Sequence, residues 1–542
     1  MAVTLNKASL ADKAAWAAAG ISLPSYDYGE MRAETQKNPR WVHVGAGNIF
    51  RAYIADLAQQ LLEKGEITSG ITALSTFDHQ ILSKIYDPCD DLSLQVIMHA
   101  DGKLDKKVIA SVGETLKADA SDPAGWARAK EIFRTPELAM ISFTITEKGY
   151  HIRNMQGEFY PAVEEDFMRK TDVPQNGMSI IAALLLERFL ANAAPIAVVS
   201  MDNFSHNGDK LYDSIRTIAE KWVENGKAPQ AFAAYLADRS KVAFPCSMID
   251  KITPRPDDGV AKALRESGFD STDAVITDKN TYIAPFVNAE APQYLVIEDC
   301  FPNGRPRLED VGVYIVSRET VDLMERMKVC TCLNPLHTAL AVCGCLLGYT
   351  SIAAEMKDAD LVKMVETIGY KEGMPVVANP GIVNPNDFLN EVLSVRLPNP
   401  YIPDTPQRIA TDTSQKLGIR YGETIKLYRA SATLDTADLH CIPFAIAAWC
   451  RYLLGVDDSG NAFAPSADPL LCELQEILAG VTPGNPASGA GKLQSILSNT
   501  RIFGMDLYAD GLGKQIETYF TAMLAGTGAV RATLHDVVAH IE

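Results

Sequence analysis

The sequence predicts an α/β protein in which an N-terminal part, built on a parallel sheet, is followed by a mostly α-helical C-terminal part. Short apolar runs alternate with helical patterns in the first half of the chain, as βαβ units require. Gly45 and Gly47 interrupt the first of these units between its strand and its helix. From Leu323 onward, most apolar patterns have helical spacing.

The composition is that of a globular protein and restricts its partners. A chain of 542 residues is too long for one core, and 47% of its residues are hydrophobic. The formal charge of −18 argues against nucleic acid or an anionic membrane as a partner, although a local basic pocket for a small anion is still allowed. The N-terminus lacks a signal-peptide pattern, and no apolar run approaches the length of a membrane span. We expect a cytoplasmic protein that is a monomer or a small homo-oligomer.

The ten cysteines are scattered along the chain, which favours reduced thiols over a disulfide framework. Cys330, Cys332, Cys343 and Cys345 surround His337 and invite interpretation as a zinc site. However, Cys-x-Cys is not the usual zinc spacing, and the flanking apolar residues indicate a packed helix in which cysteine serves as a small hydrophobic residue. We therefore predict no metal site.

The first strand runs into a glycine turn, and the helix predicted over 52–64 follows it. Glycines at such a turn let the backbone approach a pyrophosphate, and the free N–H groups of the helix favour its charge. The spacing Gly-x-Gly-x-x-x-Arg lacks the third glycine of the usual fingerprint, so a tight turn of any α/β domain is an alternative. The candidate cofactor-binding residues here are Gly45, Ala46, Gly47, Asn48, Ile49, Phe50 and Arg51.

Two later strand ends add cofactor-binding candidates. Asp78 follows the strand predicted over 71–77, where it would bind the adenosine ribose or cap the next helix. No basic residue in that turn would hold the 2′-phosphate of NADP, so NAD is favoured and NADP is not excluded. Thr146 and Glu147 follow the strand predicted over 138–145, and open α/β sheets bind ligands at the carboxyl ends of their strands.

The stretch from Glu325 to His337 places polar groups in otherwise apolar chain. Apolar surroundings disfavour the charged form of a lysine, which can then exchange a proton near neutral pH, and Lys328 is the candidate for this role. Asn334 could donate a hydrogen bond to an alkoxide, and His337 could orient a hydroxyl group. These groups suffice to deprotonate a secondary alcohol without a metal, although a helix with an ordinary polar face is the simpler explanation of this stretch alone.

Two further candidates precede this stretch. Asn203 follows the strand predicted over 195–200 and is a second candidate amide donor, although turn-forming asparagines are common at such sites. Asp250 ends an apolar run, which suggests a carboxylate held partly out of water. The chain then becomes loop-like, and we predict domains at 1–295 and 296–542.

Seven pieces of the chain, in one order, resemble the polyol-specific long-chain dehydrogenases, the mannitol dehydrogenase family, which includes fructuronate and tagaturonate reductases. The pieces are Gly45 to Arg51, Thr146 to Tyr150, Asp202 to Gly208, Phe244 to Asp250, Phe301 to Pro306, Glu325 to His337 and Arg396 to Ser414. The resemblance implies an N-terminal Rossmann-type NAD-binding domain, a mostly helical C-terminal domain and an active site without a metal.

The resemblance also implies a role for each matched residue. Lys328 would be the general acid and base, Asn203 and Asn334 the oxyanion donors, His337 a partner of a substrate hydroxyl, and Asp250 and Glu325 the groups that position the lysine and pass on its proton. One departure matters, because the family separates this lysine and asparagine by four residues, whereas five separate Lys328 from Asn334. In an unbroken helix the additional residue would rotate the lysine by about 100°. We therefore predict a π-bulge or irregular turn over 329–333.

The predicted reaction is NAD-dependent hydride transfer between a hexuronate and its aldonate, with fructuronate and mannonate as the first choice. Tagaturonate with altronate, and fructose with mannitol, are the alternatives. Arg396, Arg408 and Lys416 could bind a substrate carboxylate, although each could equally be an ordinary surface or packing charge. A nucleotide-binding sensor that keeps the fold is the non-enzymatic alternative, and the displaced lysine favours it.

Overall fold

The computed structural model of the protein describes residues 2–154, 156–169 and 172–541. The strands in these residues are β1 (Trp41–Val44), β2 (Ile71–Ser75), β3 (Ser93–Met98), β4 (Leu104–Ile109), β5 (Val112–Lys117), β6 (Met140–Phe143), β7 (Ile196–Ser200), β8 (Val242–Ala243), β9 (Ser247–Asp250), β10 (Val275–Ile276), β11 (Tyr282–Ile283), β12 (Phe286–Glu290), β13 (Tyr294–Glu298) and β14 (Tyr314–Val316).

The main sheet contains six parallel strands in the order β5-β2-β1-β6-β7-β8. Helices cover both of its faces, so every residue of β1 is buried. Because side chains alternate along a strand, Val42 and Val44 enter one core cluster, while Trp41 enters the cluster on the other face. This is the predicted Rossmann-type sheet.

Smaller sheets complete the first part of the chain. One has the order β12-β3-β4, a second has the order β14-β13-β9, and β10 and β11 form an antiparallel hairpin. The two compact units of the chain therefore divide between Val321 and Asp322 rather than near residue 295. The reason is that β12 pairs with β3 and β13 pairs with β9, which keeps residues 286–316 in the first unit.

The helices of the first unit connect these strands. The α-helices are Lys13–Ala18, Tyr28–Lys37, Ala55–Glu63, Pro123–Arg134, Pro161–Phe167, Gly177–Ala191, Asn207–Glu224, Gln230–Ala237 and Asp258–Glu266, and Arg318–Arg326 crosses the division into the second unit. Phe50–Ile54 and Leu82–Tyr86 are π-helical.

The second unit is built from helices, as predicted. Its α-helices are Asn334–Leu347, Ile352–Glu355, Ala359–Glu366, Pro385–Glu391, Pro406–Ile409, Glu423–Ala430, Cys441–Tyr452, Leu471–Ile477, Gln494–Leu497, Thr500–Phe503, Gly513–Met523 and Ala529–Ala539. Met327–Cys332, Thr367–Gly373, Val392–Arg396 and Gly418–Gly422 are π-helical.

One continuous helical run, Arg318–Leu347, is long and apolar enough to cross a membrane by length and composition alone. Within its most apolar window, 83% of the residues are buried inside the protein. Burial of this extent is what a central helix of a folded domain shows, because its apolar side chains pack against protein neighbours.

Candidate functional site

Most of the predicted cofactor-binding residues follow parallel strands of the main sheet. The glycine turn follows β1, Asp78 comes after β2, and Thr146 and Glu147 come after β6. Since these strands are parallel, the residues that follow them lie along one edge of the sheet. The strand order reverses direction between β1 and β6, and open α/β sheets bind their ligands outside such a point.

The glycine turn has the backbone that a bound dinucleotide needs. Gly45 has a φ of +105°, and a Cβ at this position would lie 2.4 Å from the carbonyl oxygen of Thr144. Around Gly47, by contrast, an added Cβ would meet nothing within 4 Å, so this face of the turn is open. The helix begins at Asn48, whose buried Oδ1 has no hydrogen-bond partner in the described residues. An open backbone beside a helix N-terminus and an unused acceptor fit a pyrophosphate and its ribose.

The other residues of the turn face inward. The carbonyl of Ala46 accepts a hydrogen bond of 3.1 Å from the hydroxyl of Tyr86. Phe50 is buried and stacks on the ring of His43 with a centroid distance of 4.3 Å. Ile49 is half-buried and packs against the core cluster that contains Phe50. These residues therefore anchor the turn to the core of the domain.

Arg51 is only 1% exposed. Its Nε donates to Ser93 at 2.9 Å, and its Nη2 donates to the carbonyl oxygens of Ala284 and Pro285 at 2.6 and 2.9 Å. The guanidinium thus ties the helix to β3 and to the entry of β12. The structure places Arg51 in the core rather than on the surface of the turn, and this geometry does not favour its predicted contact with a dinucleotide.

His43 lies in β1 directly below the turn, and the sequence analysis did not single it out. Its ring nitrogens are 2.7 and 2.8 Å from the hydroxyl oxygens of Ser142 and Thr144, so it links β1 to β6 where the strand order reverses. Burial lowers the pKa of His43 to about 3, which keeps the ring neutral. An isolated polar residue in an otherwise apolar strand was the available signal.

Asp202 shapes the loop that carries Thr146 and Glu147. Its carboxylate accepts hydrogen bonds from the backbone N–H groups of Ile145 and Thr146 at 2.8 and 3.1 Å, and from the hydroxyl of Tyr150 at 2.7 Å. Burial outweighs these bonds and raises the pKa of Asp202 above its ordinary value. Thr146 has a φ of +66°, an uncommon conformation for this residue type. Asp202 thereby holds a strained loop at the carboxyl edge of the main sheet, on which Thr146 and Glu147 are exposed.

Asn207 links the loop that carries Asn203 to the strand that ends at Asp250. Asn207 donates to the carbonyl oxygen of Asp202 at 2.9 Å and to that of Ser247 at 3.0 Å. This side chain therefore ties the loop after β7 to the start of β9, the strand that ends at Asp250. Asn203 is exposed on the loop, whereas Asp250 is 5% exposed.

The turn after β2 lies against the β10–β11 hairpin, which brings a cationic group beside an aromatic one. Asp78 is buried, and its Oδ2 accepts a hydrogen bond of 2.6 Å from Thr277 on the β10–β11 hairpin. Its Oδ1 has no partner in the described residues, which leaves one acceptor for a ribose hydroxyl. The hairpin also brings the Nζ of Lys279 to 5.0 Å from the ring centroid of Phe77, whose side chain is 70% exposed. Sequence analysis found no basic residue in this turn because Lys279 is distant in the chain.

In the second unit, the predicted irregular turn is present and confirmed. Met327–Cys332 is π-helical, and the N–H of Leu333 donates to the carbonyl oxygen of Lys328 at 3.1 Å, a bond across five residues. Lys328 is 2% exposed within this turn. The additional residue between Lys328 and Asn334 is thus absorbed by a wider helical turn, as insertions in helices often are. Glu325, half-buried, lies on the last α-helical turn before it.

Asn334 begins the next helix, and His337 lies one turn further on. The Nε2 of His337 is 3.3 Å from the Oδ2 of Asp404, and Asp404 also forms an ion pair with Arg408. Burial alone would raise the pKa of Asp404, but His337 and Arg408 outweigh it, so this pKa lies below its ordinary value. The ionised carboxylate of Asp404 thus lies within ion-pair distance of His337, whose Nε2 forms no hydrogen bond in the described residues.

The three predicted substrate-binding cations differ in their surroundings. Arg396 is 5% exposed at the end of a π-helical turn, and the side chain of Arg408 is 61% exposed beside Asp404. Lys416 donates from Nζ to the carbonyl oxygen of Thr411. Burial, together with the charge of Arg420, lowers the pKa of Lys416.

Arg420 is a further cation that the sequence analysis missed. It lies in the π-helical turn Gly418–Gly422 and is half-buried. Its Nη1 donates to the hydroxyl of Thr338, the residue after His337. Burial lowers the pKa of Arg420 to about 10. No local pattern singled it out, because one arginine on a helix is ordinarily a surface charge.

The cysteines near His337 are buried and pack as small side chains. The Sγ of Cys332 faces the carbonyl oxygen of Pro385 at 3.8 Å, and the Sγ of Cys343 lies 4.0 Å from the sulfur of Met364. Burial raises the pKa of Cys330 to about 11 and that of Cys345, with a contribution from Glu355, to about 12. Thiols of such high pKa are poor sources of the thiolate that zinc requires.

The parallel sheet, its glycine turn and its unused acceptors define a Rossmann-type dinucleotide-binding domain, and a helical domain with a buried lysine follows it. The model of the mannitol dehydrogenase Rossmann domain matches residues 39–310, and that of the mannitol dehydrogenase C-terminal domain matches residues 320–524. The chain belongs to the mannitol dehydrogenase family.

Relatives in this family are similar over almost their whole length. The chain is 51% identical to a D-mannonate oxidoreductase of Thermotoga maritima, over 98% of this chain and 99% of that protein. It is 29% identical to a mannitol 2-dehydrogenase of Neosartorya fischeri, over 93% of each.

Solved structures share the fold. Pseudomonas fluorescens mannitol 2-dehydrogenase, in a ternary complex with NAD and D-mannitol, has a TM-score of 0.71 at 24% identity, covering 99% of this chain and 100% of that one. A substrate-free D-sorbitol dehydrogenase has a TM-score of 0.77 at 24% identity, covering 96% of this chain and 97% of that one.

Proposed function

We propose that the chain is an NAD-dependent oxidoreductase that interconverts D-fructuronate and D-mannonate. The observation that carries this proposal is the 51% identity to a D-mannonate oxidoreductase over nearly the full length of both chains. A D-mannonate oxidoreductase of Escherichia coli is 27% identical over 92% of this chain.

The residues at the carboxyl edge of the main sheet fit the cofactor. Gly45, Gly47 and the first N–H groups of the helix at Asn48 would hold the pyrophosphate, and Asp78 Oδ1 would accept a hydrogen bond from the adenosine ribose. Thr146 and Glu147 lie on the neighbouring loop. When bound, NAD supplies the nicotinamide that exchanges a hydride with the substrate.

Lys328 moves the proton in this proposal. During oxidation, its neutral amine removes the proton of the secondary hydroxyl, and during reduction, its ammonium returns a proton to the alkoxide oxygen. The π-helical turn supports this role, because it accommodates the five residues between the buried Lys328 and Asn334 without breaking the following helix. The amide of Asn334 would donate to the developing oxyanion, and His337, which lies beside Asp404, would bind a neighbouring hydroxyl.

The remaining predicted residues keep the roles that the resemblance implies. Asn203 would be the second oxyanion donor. Asp250 and Glu325 would position Lys328 and pass its proton to solvent. Support for Asp250 comes from its burial at the end of β9, which gives the carboxylate a fixed position. Among the cations, Lys416 would contact the substrate carboxylate, while Arg408 is supported as a partner of Asp404.

A substrate panel tests the proposal. NADH and NADPH oxidation would be followed at the nicotinamide absorbance band with D-fructuronate, D-tagaturonate and D-fructose, and the reverse direction with D-mannonate, D-altronate and D-mannitol. We expect the highest kcat/KM for the fructuronate and mannonate pair with NAD(H). A preference for either other pair would replace fructuronate and mannonate as the proposed substrates. If NADH binds in a fluorescence titration but no pair is turned over, the result would favour the nucleotide-binding sensor.

A further inference from the structure

Arg420 occupies an unusual position at the start of the helix Asn334–Leu347. Its Nη1 donates to Thr338 Oγ1, and this hydroxyl donates in turn to the carbonyl oxygen of Asn334 at 2.8 Å. The guanidinium therefore lies beside the first turn of the helix that carries Asn334 and His337. A helix N-terminus carries a partial positive charge, so a cation is unfavourable there unless an anion balances it.

The described residues do not supply that anion. No carboxylate in residues 2–154, 156–169 and 172–541 lies within ion-pair distance of the Arg420 guanidinium. Asp404 is already engaged by His337 and Arg408, and Asp468 accepts hydrogen bonds from the N–H and hydroxyl of Ser414. Removing a cation from water without a counter-ion is unfavourable, so such a position calls for a bound anion.

A second cation accompanies the first. The charges of Arg420, Asp412 and Asp468 all act on Lys416, and the side chains of Arg420 and Lys416 are both half-buried. Two cations held together out of water repel each other, which again favours an anionic ligand between or beside them. Neutral polyols would leave the charge of Arg420 unbalanced, whereas a sugar acid would not.

We infer that Arg420, together with Lys416, binds the carboxylate of the sugar-acid substrate and makes the enzyme prefer hexuronates over neutral ketoses. This inference rests on the proposed function. The guanidinium can form two parallel hydrogen bonds with a carboxylate, while Lys416 contributes a point charge. With its carboxylate at Arg420, the substrate extends past His337 and Asn334, whose side chains serve the hydroxyl and carbonyl groups.

Three variants test this role. Arg420→Met removes the charge while keeping most of the side-chain volume, and Arg420→Lys keeps the charge but loses the planar guanidinium. Arg429→Met is the matched control, because Arg429 is exposed on the following helix Glu423–Ala430 and pairs with Asp510. It makes the same change in net charge away from the site. Thermal melts of all three proteins report folding.

The readouts are kcat and KM for D-fructuronate and for D-fructose, and calorimetric binding of D-mannonate to the NAD complex. For Arg420→Met, we expect kcat/KM for the uronate to fall by roughly 10²-fold, mostly through KM, while that for fructose changes by less than about threefold. For Arg420→Lys, kcat/KM for the uronate should fall roughly tenfold. Arg429→Met should have the kcat and KM values of the wild type.

The outcomes separate this inference from the proposed function. If the wild type turns over D-fructuronate and a folded Arg420→Met variant keeps its KM and its D-mannonate affinity, the carboxylate binds elsewhere and the inference is overturned. Equal losses for uronate and fructose would also overturn it, because they indicate a structural role. If the wild type neither binds nor turns over any sugar acid, the proposed function fails as well.

Discussion

Glu355 is a buried acid whose replacement should change how stability depends on pH. Its side chain is fully buried, and neither carboxyl oxygen has a hydrogen-bond partner in the described residues. It packs against Gly344, where an added Cβ would lie 2.2 Å from Oε1 and 2.8 Å from a carbon of Pro406. Burial, with a contribution from Asp358, raises the pKa of Glu355 from 4.5 to about 9. We consider the substitution Glu355→Gln.

The magnitude follows from proton linkage. The folded state keeps Glu355 protonated up to a pH of about 9, whereas the unfolded chain releases this proton near 4.5. The contribution of this raised pKa to the free energy of unfolding is therefore fully present below pH 4.5. As the pH rises from there towards 9, the free energy of unfolding falls by about 1.4 kcal/mol per pH unit. Glutamine does not titrate, so it lacks this fall in stability. The free energy of unfolding of Glu355→Gln, relative to that of the wild type, should therefore rise by about 3 kcal/mol from pH 6 to pH 8.

Thermal melts by calorimetry at pH 6, 7 and 8 measure this gain. For a domain of this size, the difference in Tm between variant and wild type should grow by about 5–10 °C over that range. Glu473→Gln, at an exposed position of the same unit, is the control and should follow the wild type. The neighbouring thiols Cys343 and Cys345 do not ionise in this range because burial raises their pKa values. Parallel pH profiles for Glu355→Gln and the wild type would refute the reasoning.

Three further predictions concern the site. Lys328→Ala should lower kcat by roughly 10²-fold or more and make the remaining activity respond to added primary amines; turnover near the wild-type value would exclude it as the base. Gly45→Ala should destabilise the protein by about 2 kcal/mol or more and weaken NADH binding in a fluorescence titration, since its φ of +105° and the oxygen of Thr144 leave no place for a Cβ. Lys279→Glu should lower kcat/KM for NADPH by roughly tenfold with little change for NADH, because a cation near the end of β2 can pair with a 2′-phosphate; an unchanged NADPH to NADH ratio would exclude that pairing.

Features encoded by neighbouring residues could be predicted from the sequence. The strand before Gly45, the glycine turn and the following helix depend on local apolar spacing and on backbone freedom, which short stretches reveal. The π-helical turn was predicted from the count of residues between Lys328 and Asn334, because helix geometry converts one additional residue into a defined rotation. The alternation of strands and helices gave the Rossmann-type sheet in the same way.

Features that depend on distant pairs could not be predicted. Lys279 reaches the turn after β2 only because the β10–β11 hairpin bonds to Asp78 through Thr277. Arg51 matched the expected motif, yet its carbonyl partners follow β11 in the chain, and they hold it in the core. The first unit ends later than the boundary predicted at residue 295 for the same reason, because the pairing of β12 with β3 leaves no pattern in the local sequence.

The overall charge explains why composition could not identify the substrate. A chain with a net charge of −18 repels an anionic cofactor and an anionic sugar acid at long range. Acids more than about 8 Å away are screened by physiological salt, whereas half-buried cations act on a ligand with little screening. In the inference drawn above, a few local groups such as Arg420 and Lys416 would therefore decide whether a carboxylate binds. Because they stand four residues apart on one irregular helical segment, changing this segment alone would let the same fold choose between acidic and neutral sugars.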